Sequence, residues 1–172
     1  MSVMEHKKEA PKQVRCKIIT VSDTRTQDTD KSGKLIREFV VNQGHIIEDY
    51  EIVRDEKIEI SGALQKGIQA PQIDAILLNG GTGIADRDVT IETVKELLDK
   101  EIVGFGELFR MLSYTEDIGA AAMLSRAIAG VSNHTAVFAM PGSSGAVKLA
   151  MNKLISSELA HVIREIRKDL KK

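Results

Sequence analysis

The sequence predicts an α/β protein: a three-layer α/β/α sandwich whose sheet is mostly parallel, with an antiparallel hairpin at one edge. Three observations predict this fold. Short apolar runs alternate along the chain with segments whose apolar residues recur at helical spacing. Glycine-rich turns follow two of the apolar runs. Hydrophobic residues make up 42% and charged residues 28% of the 172 residues, which is typical of one domain with a substantial core.

Five strands are predicted, because each is a short run of mostly apolar residues bounded by polar or glycine-rich turns. They cover residues 15–21, 45–53, 73–78, 127–131 and 135–140. The last two flank Ser132-Asn133-His134, which predicts a short hairpin. Helical segments separate the other strands, which therefore are expected to run parallel.

Helices are predicted wherever apolar residues recur every three or four positions. They cover residues 34–43, 60–68, 91–100, 103–112, 117–125, 146–155 and 158–170. Gly44 is suited to end the first helix, and Asp55 stands where the second helix needs an N-cap. The small residues of the fifth helix permit close packing, either within the fold or against another subunit.

The first 13 residues form a polar segment with no apolar period, which predicts a flexible N-terminal arm. Residues 14–172 are then expected to form a single α/β domain. No apolar stretch is long enough to cross a membrane, and the N-terminus lacks the apolar core of a signal peptide. We therefore expect a cytoplasmic protein with no membrane partner.

The composition argues against several classes of site. The net charge is −1, aromatic residues are only 3%, and no basic run is interleaved with aromatics, so no nucleic-acid partner is expected. The four histidines, His6, His45, His134 and His161, are scattered without metal-ligand spacing. Cys16 is the only cysteine and lies in an apolar strand, so we expect a buried, unreactive thiol.

The functional prediction centres on residues 79–90, which read Asn-Gly-Gly-Thr-Gly-Ile-Ala-Asp-Arg-Asp-Val-Thr. They join a strand to a helix, where open α/β sheets bind ligands. The three glycines tolerate positive φ and let backbone N–H groups approach an anion. The carboxylates of Asp86 and Asp88 follow at once. A phosphate cradle beside carboxylates suggests a phosphorylated ligand with a hard cation such as Mg²⁺.

This glycine turn differs from the two common nucleotide-binding motifs. A P-loop would need Gly-Lys-Ser/Thr, but Gly83 is followed by Ile84-Ala85. A dinucleotide motif starting at Gly81 would need glycine where Asp86 stands. The alternative is a tight loop without a ligand, in which Thr90 is only a helix N-cap.

Two other turns follow predicted strands and should border the same crevice. Ser22 and Asp23 come after the first strand and are candidates for ligand contacts or for a structural turn. Pro141-Gly142-Ser143 comes after the last strand and precedes a helix, which predicts a second anion site. Capping of that helix by Ser143 is the alternative.

Several motifs together resemble the MoaB/Mog molybdopterin-binding family. They are Gly80-Gly81-Thr82-Gly83 with Arg87-Asp88-Val89-Thr90, Gly104-Phe105-Gly106-Glu107, Leu124-Ser125-Arg126 and Pro141-Gly142-Ser143. They occur in the family's order, and the resemblance runs from Val14 to the final helix. The chain departs from the family at Asn79, where Thr is frequent, and at Ile91, where Pro is frequent.

The resemblance implies a cytoplasmic protein of molybdenum cofactor biosynthesis. Active members of the family are adenylyltransferases, which convert molybdopterin and ATP, with Mg²⁺, into adenylylated molybdopterin and pyrophosphate. Their two key aspartates match Asp55 and Asp88, which are therefore the expected catalytic and metal-binding residues, although Asp55 is also a good N-cap. The expected ligand-binding residues are Ser22, Asp23, Gly80, Gly81, Thr82, Gly83, Arg87, Thr90, Pro141, Gly142 and Ser143.

The resemblance also implies a homo-oligomer, either a trimer or a hexamer built from two trimers. One alternative function is a protein of the same pathway that binds molybdopterin without catalysis. Another is an α/β nucleotide-binding module with an unrelated partner. Residues 87–90 favour activity, because some members that have lost this segment are inactive.

Overall fold

The computed structural model describes residues 2–170 and contains one six-stranded sheet. Its strands are β1 (Arg15–Val21), β2 (Ile46–Val53), β3 (Ala75–Asn79), β4 (Lys100–Glu101), β5 (Ile128–Ser132) and β6 (Thr135–Met140). Their spatial order is β2-β1-β3-β6-β5-β4. The first four strands in this order run parallel, whereas β5 is antiparallel to β6 and β4 is antiparallel to β5.

Helices cover both faces of this sheet. They are α1 (Val3–Lys8), α2 (Lys31–Asn42), α3 (Lys57–Gln69), α4 (Thr90–Leu97), α5 (Val103–Glu116), α6 (Ser144–Ala150) and α7 (Ser156–Arg167). A 3₁₀ helix spans Gly119–Leu124, where an α-helix was predicted. A π-helical turn, Met151–Ile155, joins α6 to α7, so the last two predicted helices are continuous.

Two hydrophobic clusters, one on each side of the sheet, form the core. Residues of α2, α5, α6 and α7 pack on one face, and residues of α3 and α4 pack on the other. Successive residues of a strand point to opposite faces, so Ile18 belongs to the first cluster and Ile19 to the second. The predicted three-layer sandwich, with a mostly parallel sheet and an antiparallel edge, is confirmed.

The N-terminal segment contains a helix, which the sequence analysis missed. Ser2 and Glu5 form a capping box at the start of α1, and this pattern was legible in the sequence. Lys7 forms an ion pair with Glu158 of α7, and Glu9 forms one with Arg164 at 2.5 Å. No helix was predicted in this segment, because it has no apolar period. Its flexibility and the domain division stay predictions, and Met1 and residues 171–172 lie outside the described residues.

Two smaller predictions can be checked directly. Cys16 is fully buried, as expected, and burial raises the pKa of its thiol to about 12, which disfavours the reactive thiolate. Gly44 follows α2 with φ +81°, the left-handed conformation expected of a residue that ends a helix. Within residues 2–170, no helix has the length and apolar character needed to cross a membrane.

The core packing predicts a large difference between two residues of α2. Ile36 is fully buried, whereas Val41 is 54% exposed. We expect Ile36→Ala to lower the free energy of unfolding by about 2–5 kcal/mol, because it leaves a cavity in the first cluster. The control Val41→Ala should change it by less than about 0.5 kcal/mol. Urea unfolding measures both, and equal effects would contradict this packing.

Candidate functional site

A pocket of about 470 Å³ opens where the carboxyl ends of β1, β3 and β6 meet. The chain leaves β1 for α2 on one face of the sheet and leaves β3 for α4 on the other. Neighbouring strands whose connections diverge in this way create a crevice, and open α/β sheets bind ligands there. The glycine turn forms one side of this crevice, which we call the glycine pocket.

Glycine is required at two positions of this turn. Gly80 and Gly81 have φ values of +94° and +65°. A Cβ atom at Gly80 would lie 2.2 Å from the carbonyl oxygen of Val21, and one at Gly81 would lie 2.4 Å from Thr90 Oγ1 and 2.6 Å from Asp55 Oδ1. Any side chain here would therefore collide with the end of β1 or with the floor of the pocket.

Asp55 reaches the pocket from the loop after β2. The N-cap of α3 is Glu56 rather than Asp55, and no side chain caps this helix. Asp55 Oδ1 is buried and has no hydrogen-bond partner among residues 2–170. Burial raises the pKa of this carboxyl above its usual range, and the charges of Asp23 and Asp88 raise it further. The N-cap interpretation of Asp55 is therefore wrong.

Thr90, like Asp55, is not the N-cap that the sequence allowed. α4 begins at Thr90, its N-cap position is Val89, and no side chain caps it. Thr90 Oγ1 is buried and also lacks a hydrogen-bond partner in the described part of the chain. Thr90 Oγ1 and Asp55 Oδ1 converge on the same point beside Gly81. Two buried oxygens without donors are suited to receive a cation or a polar ligand.

Asp88 lines the pocket beside the glycine turn. Its Oδ2 accepts a hydrogen bond from the backbone N–H of Ala85 at 3.0 Å. A Cβ atom at Gly83 would lie 2.4 Å from the same oxygen, so the turn folds closely around this carboxylate. Asp55 and Asp88, which are distant in sequence, thus lie at one pocket.

Asp23 and Arg87 form a bridge across the rim. Arg87 Nη2 lies 2.8 Å from Asp23 Oδ2 and 3.4 Å from Glu56 Oε1. Asp23 Oδ1 accepts a hydrogen bond from the backbone N–H of Asp55 at 3.1 Å. These contacts tie the loops after β1 and β2 to the glycine turn, although neither Asp23 nor Arg87 is among the residues that line the pocket.

Of the remaining predicted residues, some line the glycine pocket and others stabilise a turn or cap a helix. Ser22 lines the pocket, while its Oγ accepts hydrogen bonds from the N–H groups of Thr24 and Arg25, as in a turn. Pro141 and Gly142 line the pocket, and a Cβ atom at Gly142 would lie 3.1 Å from Gly80 Cα. Ser143 does not line it: its side chain caps α6 by accepting from Ala146 N at 3.2 Å.

Arg25 also lines the pocket, although it was not among the predicted site residues. Arg25 Nη2 donates to the carbonyl oxygen of Gly142 at 3.3 Å, and its Nη1 lies 3.4 Å from Asp30 Oδ1. Asp30 is fully buried, caps α2 through the N–H of Gly33 and accepts a hydrogen bond from Tyr50. A guanidinium held in this way places a fixed positive charge at the pocket.

Arg126 supports the glycine turn from behind. Its Nε donates to the carbonyl oxygens of Thr82 and Gly83 at 3.1 and 3.0 Å, and its Nη2 donates to the carbonyl oxygen of Asp88 at 3.1 Å. It also forms an ion pair with Glu92. These bonds fix the carbonyls of the turn on one side of the backbone.

The model of a family described as probable molybdopterin binding domain matches residues 17–161, which is most of the chain. The chain belongs to the MoaB/Mog molybdopterin-binding family. A relative called molybdenum cofactor biosynthesis protein B, from Bacillus subtilis strain 168, is 69% identical over 169 residues. That match covers 98% of this chain and 99% of the relative.

Solved structures of similar proteins agree with this assignment. A crystal structure of a molybdenum cofactor biosynthesis protein B has 61% identity and a TM-score of 0.90, and the match covers 92% of this chain and 99% of the other. The tungsten cofactor synthesizing protein MoaB from Pyrococcus furiosus has 42% identity and a TM-score of 0.83, with the same coverage. The MoaB/Mog fold therefore extends over almost the whole chain.

Within this MoaB/Mog chain, the structure brings most of the predicted residues to one pocket. Thr90 lies against Gly81 but is not among the residues that line the pocket. Asp23 and Arg87 lie at the rim, and Ser143 caps the neighbouring helix. Arg25 was missed because its role depends on the buried Asp30, which the sequence does not place beside it. The Leu124-Ser125-Arg126 motif was noticed, but the contact between Arg126 and the turn was not foreseen. The ligand-binding and catalytic roles of these residues stay predictions.

The geometry of the turn predicts unequal costs at two glycines with positive φ. A Cβ atom at Gly44 would meet no atom within 4 Å, whereas one at Gly81 would meet Thr90 and Asp55. Each change to alanine should cost about 1–2 kcal/mol for the left-handed backbone. Gly81→Ala should cost clearly more, because its Cβ also overlaps two side-chain oxygens. Urea unfolding of both variants measures the difference, and equal costs would contradict the packing described for this floor.

Proposed function

We propose that this protein is a molybdopterin adenylyltransferase of molybdenum cofactor biosynthesis. The terminal phosphate of molybdopterin attacks the α-phosphate of ATP, adenylylated molybdopterin forms, and pyrophosphate leaves. One observation carries the proposal: Asp55 and Asp88 share a glycine-lined pocket, and Asp55 Oδ1 is buried there without a donor. The family match and the printed names of the relatives support the pathway and the pterin.

The reaction brings two anions together, so the protein must stabilise negative charge. Asp55, Thr90 and Asp88 supply the hard oxygen ligands that Mg²⁺ prefers, and the two unpartnered oxygens fit a cation. Mg²⁺ bound there would neutralise charge on both phosphates. Without such a cation, the carboxylates would repel a phosphorylated ligand.

The other residues of the pocket position the reactants. The backbone N–H groups of the glycine turn can approach phosphate oxygens closely, because no side chains stand in front of them. Arg25 adds a positive charge whose direction is set by Asp30 and by the carbonyl of Gly142. Arg126 holds the turn in place. Phosphoryl and nucleotidyl transfers depend mainly on such positioning and charge stabilisation.

The assay of adenylylation tests this proposal. The wild type with molybdopterin, ATP and Mg²⁺ should form adenylylated molybdopterin and pyrophosphate, and chelation of Mg²⁺ should abolish the product. Asp55→Asn and Asp88→Asn should each lose about 100-fold or more in rate, because charge stabilisation at the reacting phosphates is lost. Asp86→Asn is the matched control, since Asp86 is exposed in the same turn and does not line the pocket.

The expected stability of Asp55→Asn separates a loss of catalysis from a loss of folding. The raised pKa of the Asp55 carboxyl means that its charge destabilises the folded protein, so Asp55→Asn should fold at least as stably as the wild type. Loss of activity in that variant cannot then be attributed to unfolding. A folded wild type that binds molybdopterin but forms no product would contradict the adenylyltransferase and favour the non-catalytic alternative.

We also propose that the chain assembles into the trimer, or the hexamer of two trimers, that the family resemblance implies. α5, the following 3₁₀ helix and the link between them carry apolar side chains that are about half exposed or more: Val103, Leu108, Met111, Tyr114, Ile118 and Met123. Leu108, Met111 and Tyr114 recur every three residues and share one face of α5. Exposed apolar surfaces of this kind are typical of subunit contacts.

Sedimentation velocity tests the assembly. The wild type should sediment as a trimer or a hexamer, and Met111→Glu should shift it towards monomer, because a charge would be buried in the contact. Val41→Glu, an exposed apolar residue on α2, is the control and should leave the mass unchanged. A monomeric wild type would contradict the proposed contact.

A further inference from the structure

A group of metal-ligand side chains lies outside the glycine pocket, where α1 contacts α7. It consists of His6, His161 and Glu165, and one ligand atom from each lies within 4.8 Å of the others. The three side chains are partly buried, with exposed fractions of 26%, 17% and 33%. His6 and His161 are far apart in sequence, which is why spacing along the chain did not indicate a metal site.

The distances within this histidine cluster are close to those of a metal site. His6 Nδ1 lies 3.1 Å from Glu165 Oε1, and His161 Nε2 lies 3.8 Å from the same oxygen. Nitrogen and oxygen ligands lie roughly 2.0–2.2 Å from Zn²⁺ in tetrahedral sites, so neighbouring ligand atoms are roughly 3.3 Å apart. Small side-chain rotations bring the three ligand atoms around one ion. His6 Nδ1, which donates to Glu165 Oε1 in the absence of metal, gives up its proton when it binds the ion.

His161 is already oriented for this role. Its Nδ1 lies 3.0 Å from Glu158 Oε2, and because a carboxylate only accepts hydrogen bonds, Nδ1 carries the proton. Nε2 then presents its lone pair on the side of Glu165. A carboxylate that orients a histidine through its second nitrogen is the usual arrangement around metal-binding histidines.

Two cationic side chains already contact Glu165, so a metal ion must compete with them for its carboxylate. Its Oε1 also accepts a hydrogen bond from Arg164 Nη1 at 2.6 Å, and its Oε2 lies 3.1 Å from Lys168 Nζ. Arg164 contacts Glu9 through its other terminal nitrogen. Arg164 therefore keeps a carboxylate partner when Oε1 of Glu165 turns to a metal ion.

We propose that His6, His161 and Glu165 bind one divalent transition-metal ion of the Zn²⁺ class, with water in the fourth position. Two imidazoles and one carboxylate favour such an ion over Mg²⁺, which prefers oxygen ligands. The site joins the N-terminal helix to α7. None of the six residues of α1 is buried, so its attachment depends on polar contacts of this kind. Zn²⁺ binding orders the N-terminal segment on the domain.

Calorimetric titration of the full chain with Zn²⁺ tests this site. Excess Mg²⁺ is present throughout, so that the carboxylates of the glycine pocket do not compete for Zn²⁺. We expect one Zn²⁺ per chain, and a loss of affinity of more than about tenfold in His6→Gln and in His161→Gln. Glu158→Gln should weaken binding by about tenfold, because it releases the orientation of His161. His134→Gln removes an exposed imidazole outside the cluster and should bind like the wild type.

A second measurement reports on the structural role. Zn²⁺ should slow hydrogen exchange at the backbone amides of α1 in the wild type and in His134→Gln, but not in His6→Gln. Because α1 is peripheral, His6→Gln keeps the folded domain, which circular dichroism verifies. Absence of Zn²⁺ binding to the wild type would overturn the proposal. Equal affinity in the wild type, His6→Gln and His161→Gln would also overturn it.

Discussion

The close approach of the turn after β3 to the end of β1 is the constraint on which the glycine pocket depends. At Gly80 the backbone lies so near the carbonyl oxygen of Val21 that a Cβ atom would be 2.2 Å from it. Only glycine fits there, and only glycine readily adopts the positive φ. Because β1 lies between β2 and β3, this approach also brings Asp55, after β2, against Gly81. Backbone packing thus creates the pocket and places a carboxylate in it.

The position of Asp55 in this pocket is electrostatically unfavourable. The Asp55 carboxylate is partly buried near Asp23 and Asp88, and its buried Oδ1 receives no hydrogen bond from any residue between 2 and 170. A carboxylate without a hydrogen-bond donor and close to like charges lowers the free energy of unfolding. Folded proteins keep such groups mainly where a ligand or a reaction requires them. A cation at this point would remove the repulsion and would let a phosphorylated ligand approach. The repulsion between these carboxylates and a phosphorylated ligand is the reason why the proposed function includes a metal ion.

Much of the fold could be predicted from the sequence, because buried strands and amphipathic helices leave clear apolar patterns. The strand β1 was predicted with its observed bounds, and the hairpin of β5 and β6 was recognised. By contrast, β4 is two exposed charged residues, Lys100 and Glu101, and has no apolar signal. Its pairing depends on β5, which lies far along the chain.

The candidate site was predicted less completely, for a related reason. The glycine turn and Asp88 are adjacent in sequence, so the sequence alone predicts that they lie together. Asp55 was ambiguous because an N-cap and a pocket residue differ by a single position at the start of α3, and the structure places the cap at Glu56. The supports from Arg25 and Arg126 depend on contacts with distant residues. Local patterns do not encode such contacts.

We propose that Asp55 and Asp88 hold a cation in the glycine pocket. A crystal structure with Mg²⁺ and a non-hydrolysable ATP analogue tests it most directly. We expect Mg²⁺ at roughly 2.0–2.1 Å from a carboxylate oxygen of Asp55 or Asp88, with the analogue's phosphates against the glycine turn. A bound analogue whose Mg²⁺ contacts neither aspartate, or whose phosphates lie outside this pocket, would contradict the account.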